Sequence, residues 1–164
     1  MRNSDRYRCF KRSDFGPDCS ALKVQLSNEL NAILSEHAQA DYPNECCGLL
    51  DGSIQSDIVK ITEVHPSKNL TSGNPAKSFE VDPKLRFDVM REAQSRNDGV
   101  DIIGHYHSHP DGPAAPSAKD LSMAYEPNMV WLICRVAPNE EVTIGAFQPC
   151  SDRSAFNTLE LVIN

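Results

Sequence analysis

Residues 104–120, GHYHSHPDGPAAPSAKD, hold three of the chain's five histidines together with three prolines and two aspartates. In an extended strand, residues i and i+2 point to the same side. His107 and His109, at the end of the strand-like run VDIIGHYHSH, can therefore offer both imidazoles to one point in space. Asp120 follows at the far end of the proline-rich loop, where Ser117 is the expected N-cap of a short helix in the pattern Ser-x-x-Asp. A carboxylate near a helix N-terminus is favoured in its ionised form. Two histidines and one aspartate give a tetrahedral Zn²⁺ three protein ligands and leave one position open for water, the arrangement of a catalytic rather than a structural zinc. His105 shares the strand face, but a fourth protein ligand would close that position, so it is read as a packing or supporting residue behind the ligands. Taken singly, a His-x-His pair is commonly a surface or core feature, and Ser117 with Asp120 is a capping box. Their conjunction points to a metal.

The elements that must position these side chains follow from periodicity and punctuation. LKVQLS reads as a short strand, and Ser27 can cap a helix NELNAILSEHAQA whose apolar positions Leu26, Leu30, Ile33 and Leu34 recur at helical spacing. CCGLL and DIVKITEVHP read as two strands that could pair through Gly52 and Ser53, and SFEV as a further short strand. Asp82 is the expected N-cap of a second helix with Pro83 at its first position, stopped by Asn97–Gly99. NMVWLICRV, VTIGAF and FNTLELVI supply the later strands. The expected fold class is α/β (α+β): about six to eight strands in a curved mixed sheet, flanked by two long helices and a short one near 117–125.

At 164 residues, 40% hydrophobic and 24% charged, the chain has the size of one domain. Residues 1–21 read as a loose basic extension carrying Arg2, Arg6, Arg8, Lys11 and Arg12, and residues 22–164 as the folded body. No apolar run is long enough to span a bilayer and no secretory h-region is present, so the expected setting is soluble and cytoplasmic, without a membrane partner. The net charge of −7 argues against a nucleic-acid partner, because phosphate binding needs clustered Lys and Arg. The six cysteines form no CxxC pair, which speaks for reduced thiols rather than a zinc ribbon or a disulfide scaffold. Cys46 and Cys47 are neighbours that should point opposite ways, so no bridge between them is expected. His37 is expected on a helix surface and His65 in a loop.

HSHP (107–110), six residues, Ser117, two residues, Asp120 resembles the signature H-[ST]-H-P-x6-S-x2-D of the JAMM (MPN+, Mov34/JAB) zinc peptidases, and YPNECCGLL (42–50) is similar to the glutamate motif of its compact bacterial members. The resemblance covers about residues 22–164 and implies a single JAMM/MPN domain, a fold related to that of the cytidine deaminases. It further implies that His107, His109 and Asp120 hold one Zn²⁺ per chain, whose charge acidifies its water and polarises the scissile carbonyl. Glu45 would be the general base and Ser117 a donor to the oxyanion. The role of Glu45 rests on the family alone, since spacing does not link it to a loop some sixty residues on.

The family cleaves peptide or isopeptide bonds after the C-terminal tail of ubiquitin or ubiquitin-like proteins. Only ten residues separate Asp120 from Trp131, which leaves little room for the insertions of eukaryotic members. The resemblance therefore implies a small ubiquitin-like or sulfur-carrier protein with a Gly-Gly tail as substrate, its tail extended beside a sheet edge, with the loop 110–117 as one wall of the groove. Two other readings stand beside this one. A catalytically silent MPN scaffold would typically lack the ligands, which are all present here. A zinc nucleoside deaminase needs H-x-E with P-C-x-x-C, and the chain has neither.

Overall fold

Seven strands and three helices follow one another as β1 (Lys23–Leu26), α1 (Asn28–Asp41), β2 (Cys47–Gln55), β3 (Ile58–Ser67), α2 (Pro83–Arg96), β4 (Asp101–Pro110), α3 (Ala118–Met123), β5 (Val130–Val136), β6 (Thr143–Pro149) and β7 (Phe156–Ile163). This is a computed structural model that describes residues 22–164. The basic extension over residues 1–21, with Cys9 and Cys19, lies outside the described residues. The sheet is mixed and closes on itself in the order β1-β3-β2-β4-β5-β6-β7, with β1 parallel to both β3 and β7. Closure leaves no open lateral edge among the described strands, against the expectation of a substrate tail beside a sheet edge.

The helix boundaries follow their caps. Ser27 Oγ accepts from Leu30 N at 3.2 Å, Asp82 accepts from Lys84 N at 2.8 Å, and Asn97 ends α2 in the left-handed region at φ 51°. The inward stripe of α1 is Leu30, Leu34 and Ala38, at spacing i, i+4, i+8, whereas Ile33, expected on that stripe, stays 40% exposed. Leu34 and Ala38 join Leu26, Leu50, Ile103, Tyr106 and Leu132 in the main core, and Val89 of α2 packs on Leu49 and Ile102 in a separate cluster. Burial of side chains of this size stabilises by roughly 1.5–3 kcal/mol each.

Two expectations about β2 and its neighbours are corrected. Gly52 and Ser53 do not form the hairpin turn: β2 runs on to Gln55, and the turn falls at Ser56, whose φ is 56°. Gly52 is required for close approach, because a Cβ there would stand 2.2 Å from the Lys60 carbonyl oxygen and 2.6 Å from Ile103 Cδ1. SFEV is not a strand, since Val81 makes only an isolated bridge to Asn69. The register that matters for function is the antiparallel pairing of β2 with β4, which sets Cys47 opposite His107 and Gly48 opposite Tyr106. At Gly48 a Cβ would lie 2.3 Å from the His65 carbonyl oxygen and 2.5 Å from the Tyr106 ring, so only glycine lets β2 lie this close.

Candidate active site

Alternation along β4 sorts its last residues onto two faces. Tyr106 and Ser108 point to the side of Cys46 and α1, and His105, His107 and His109 to the side of Phe79 and Trp131. Ser108 is spent on the neighbouring chain: its Oγ accepts from Cys46 N at 2.8 Å, and its own N–H donates to Cys46 O at 3.0 Å. This pair of bonds fastens the residue after Glu45 to the strand that carries His107 and His109. It supplies the link that sequence spacing cannot.

The capping box of α3 fixes Asp120. Ser117 N and Oγ both donate to Asp120 Oδ2 at 2.6 Å, and Asp120 N donates to Ser117 Oγ at 3.1 Å. The carboxylate then faces the histidines, with Oδ1 3.2 Å from His107 Nε2 and Oδ2 3.4 Å from His109 Nε2. The two Nε2 atoms stand 3.0 Å apart. His109 Nδ1 lies 3.0 Å from the Pro113 carbonyl oxygen, which can only accept, so Nδ1 carries a hydrogen and Nε2 is the nitrogen that would give up its proton to a bound cation. Two imidazole nitrogens and a carboxylate thus aim at one point. With one donor atom taken from each residue, the three lie within 4.8 Å of one another, close enough to surround a single cation.

Electrostatics carry the same signature. Burial alone would raise the Asp120 carboxyl, but hydrogen bonds from His107, His109 and Ser117 outweigh it and hold it well below the usual carboxylate range. Burial pulls His107 down, and its ring stacks on Phe79 at 4.4 Å between centroids. His105 packs edge-on against Trp131 at 4.1 Å, and burial takes it down to about 3, so it stays neutral; it is not among the converging donors.

Glu45 is 7% exposed, and burial pushes its carboxyl up to about 7, with His109 and Lys119 opposing and Asp120 adding to the rise. The folded chain therefore keeps a proton that the unfolded chain, near 4.5, has lost. Relative to an untitratable side chain, this stability is present below pH 4.5 and is lost as pH rises through about 7. In chelator-treated protein the Tm of Glu45→Gln is expected to gain on wild type across that window and level off above it. A flat difference would show that Glu45 is not desolvated.

Asp51, Glu63 and His65 form a second cluster of ligand-type groups. Its cation is already supplied, because Arg96 Nη2 lies 3.0 Å from the fully buried Asp51 carboxylate and Nη1 lies 3.7 Å from Glu63. His65, expected in a loop, is in β3 with Nε2 3.2 Å from Asp51, a bond that raises its pKa. His37, expected on the helix surface, faces inward, with Nδ1 2.7 Å from the Tyr106 hydroxyl. Among the described residues Cys46, Cys47, Cys134 and Cys150 are free, and burial pushes the Cys46 and Cys47 thiols up to about 12, which removes them as nucleophiles.

A closed mixed sheet presenting a His-x-His strand end to a capped Asp defines a class, and comparison with known proteins names it. Residues 27–148 match the family described as prokaryotic homologs of the JAB domain, and the chain belongs to that family. It is 38% identical over 114 residues to the desampylase of Haloferax volcanii, covering 70% of this chain and 78% of that protein. It is 29% identical over 107 residues to the CysO-cysteine peptidase of Mycobacterium tuberculosis, covering 63% of this chain and 66% of that one. A solution structure from Desulfitobacterium hafniense superposes with a TM-score of 0.74 at 29% identity, covering 86% of this chain and 92% of that one. The chain is an enzyme of the metallopeptidase and isopeptidase type. None of its described helices is long and apolar enough to cross a membrane.

Proposed function

We propose that residues 22–164 form one zinc-dependent peptidase domain that hydrolyses the amide bond after the Gly-Gly tail of a ubiquitin-like or sulfur-carrier protein. The observation that carries this reading is the convergence of one donor atom each from His107, His109 and Asp120 within 4.8 Å of one another beside a buried glutamate. The likeness to proteins named desampylase and CysO-cysteine peptidase supports this reading. Zinc, when bound, would polarise the scissile carbonyl and acidify the attacking water.

The chain's own residues do the rest. Glu45 takes a proton from the attacking water and returns it to the departing amine, a role suited to a carboxyl tuned near the operating pH. It must be ionised to act, so kcat/KM is expected to rise with pH through the Glu45 pKa. A dication in the trio adds to the lowering already exerted by His109 and Lys119, which places that limb below about 7. Ser117 aims its hydroxyl at Asp120 Oδ2, and turning that hydroxyl toward the reacting carbonyl would make it a donor to the oxyanion. Ala115 to Ala118, at the end of the proline-rich loop, wall an apolar cleft with Phe147 and Phe156, and a polar cleft lies on the Glu45 side between Tyr42, Asn44, Lys68 and Asn69. The proposed setting is cytoplasmic.

The test is zinc content by mass spectrometry, followed by incubation with a Gly-Gly-tailed carrier bearing a C-terminal extension. One zinc per chain with release of the extension is expected. A protein that neither holds nor takes up zinc would sink the metal site; zinc without cleavage would favour a docking role.

A further inference from the structure

The segment between β3 and α2 touches both halves of the site, and one side chain organises it. Asn69 Nδ2 donates to Glu45 O at 3.0 Å and to Ser78 O at 2.9 Å, and its Oδ1 accepts from Thr71 N and Glu80 N, each at 3.1 Å. Two donors and two acceptors are all a carboxamide offers, so the group is fully used, every partner being main chain. The loop it closes reaches back to the site at three places. Pro75 O accepts from Glu45 N at 2.7 Å, Phe79 stacks on His107, and Lys119 Nζ, beside Asp120, donates to Lys77 O at 3.0 Å. The Glu45 residue is thus gripped at its N–H by Pro75 and at its carbonyl by Asn69, while the next N–H is held by Ser108.

We propose that Asn69 is a positioning residue for Glu45, fixing its carbonyl directly and its N–H through the loop that the carboxamide closes. This rests on Glu45 being the general base. The residue type is specific. Aspartate keeps the two acceptors but loses both donors and sets a like charge near the Glu45 peptide; alanine loses all four bonds. A displaced base costs rate out of proportion to the shift, since about 1 Å can cost 10²-fold.

The experiment uses the zinc-loaded full chain with the extended Gly-Gly carrier, and variants Asn69→Ala and Asn69→Asp, each alone and in Glu45→Gln. Expected are zinc at one per chain, KM within about threefold of wild type, and kcat lowered by roughly 10-fold to 100-fold in both single variants. In Asn69→Asp the acid limb of kcat/KM should also move to higher pH, because the added charge opposes ionisation of Glu45. In Glu45→Gln, adding either substitution should cost little further under single turnover, because the group being positioned is gone. Losses that simply add, or loss of zinc or of the folded state in both variants, would assign Asn69 to the scaffold and overturn the inference. Wild type cleaving and Asn69→Ala cleaving equally well would overturn it while leaving the proposed activity standing. Wild type failing to cleave would remove the activity, and the inference with it.

Discussion

Glu45→Gln is expected to keep one zinc per chain and to lower turnover by about 10²-fold to 10⁴-fold, the usual range for loss of a general base. The substitution preserves shape and the main-chain bonds from Glu45 N to Pro75 O and from Asn69 Nδ2 to Glu45 O. It removes only the ability to take a proton. Because burial opposes the charge on Glu45, the neutral amide should fit its surroundings at least as well, so the loss cannot be assigned to unfolding. Zinc assay, Tm and single-turnover rate on the same preparation separate these effects. Full activity in the variant would show that another residue is the base.

The second large effect is at the ligands. His109→Ala or Asp120→Ala should abolish both zinc retention after dialysis and activity, each leaving two donors where a tetrahedral catalytic site needs three. Asp120 has a second consequence, because its carboxylate closes the capping box of α3 with Ser117. Asp120→Asn retains a side-chain oxygen for that cap but not the charge, so it should lose zinc with less effect on Tm than alanine, whose loss of the box costs about 1 kcal/mol. Zinc retained at one per chain in Asp120→Asn, with wild-type turnover, would remove the aspartate from the site.

What the sequence discloses and what it conceals divide along local and non-local lines. The caps Ser27, Asp82 and Ser117 and the stop at Asn97 are local chemistry, and the helices begin and end where those residues place them. The trio proposed to hold metal is nearly local: two residues on one strand, and a third held by a box eleven residues beyond His109. Glu45 is different, because its nearness to the trio depends on the β2–β4 register, which no periodicity in either strand specifies. Gly52 misled for a related reason, as a glycine demanded by close strand packing has the same letter as one demanded by a turn. His65 reads as a loop residue and His37 as a helix-surface one until Asp51 of β2 and Tyr106 of β4 arrive beside them. Ser108 is within reach: between two histidines that face one way on a strand, it has to face the other, toward Cys46 and α1. Asn69 carried only the weak signal of an asparagine ahead of a Thr-Ser-Gly-Asn-Pro loop.

The residues proposed for the chemistry lie between positions 45 and 120, yet the sheet that holds them closes only when Lys23–Leu26 meets Glu160–Ile163. During synthesis that pairing must wait until almost the whole described chain has left the ribosome. Contacts separated this far in sequence are slow to form, because the loop entropy is lost before they reward it. The two histidines and Glu45 can assemble earlier on the local β2–β3 hairpin and β4, and Asp120 follows on α3, so the proposed ligands are all in hand before the barrel shuts.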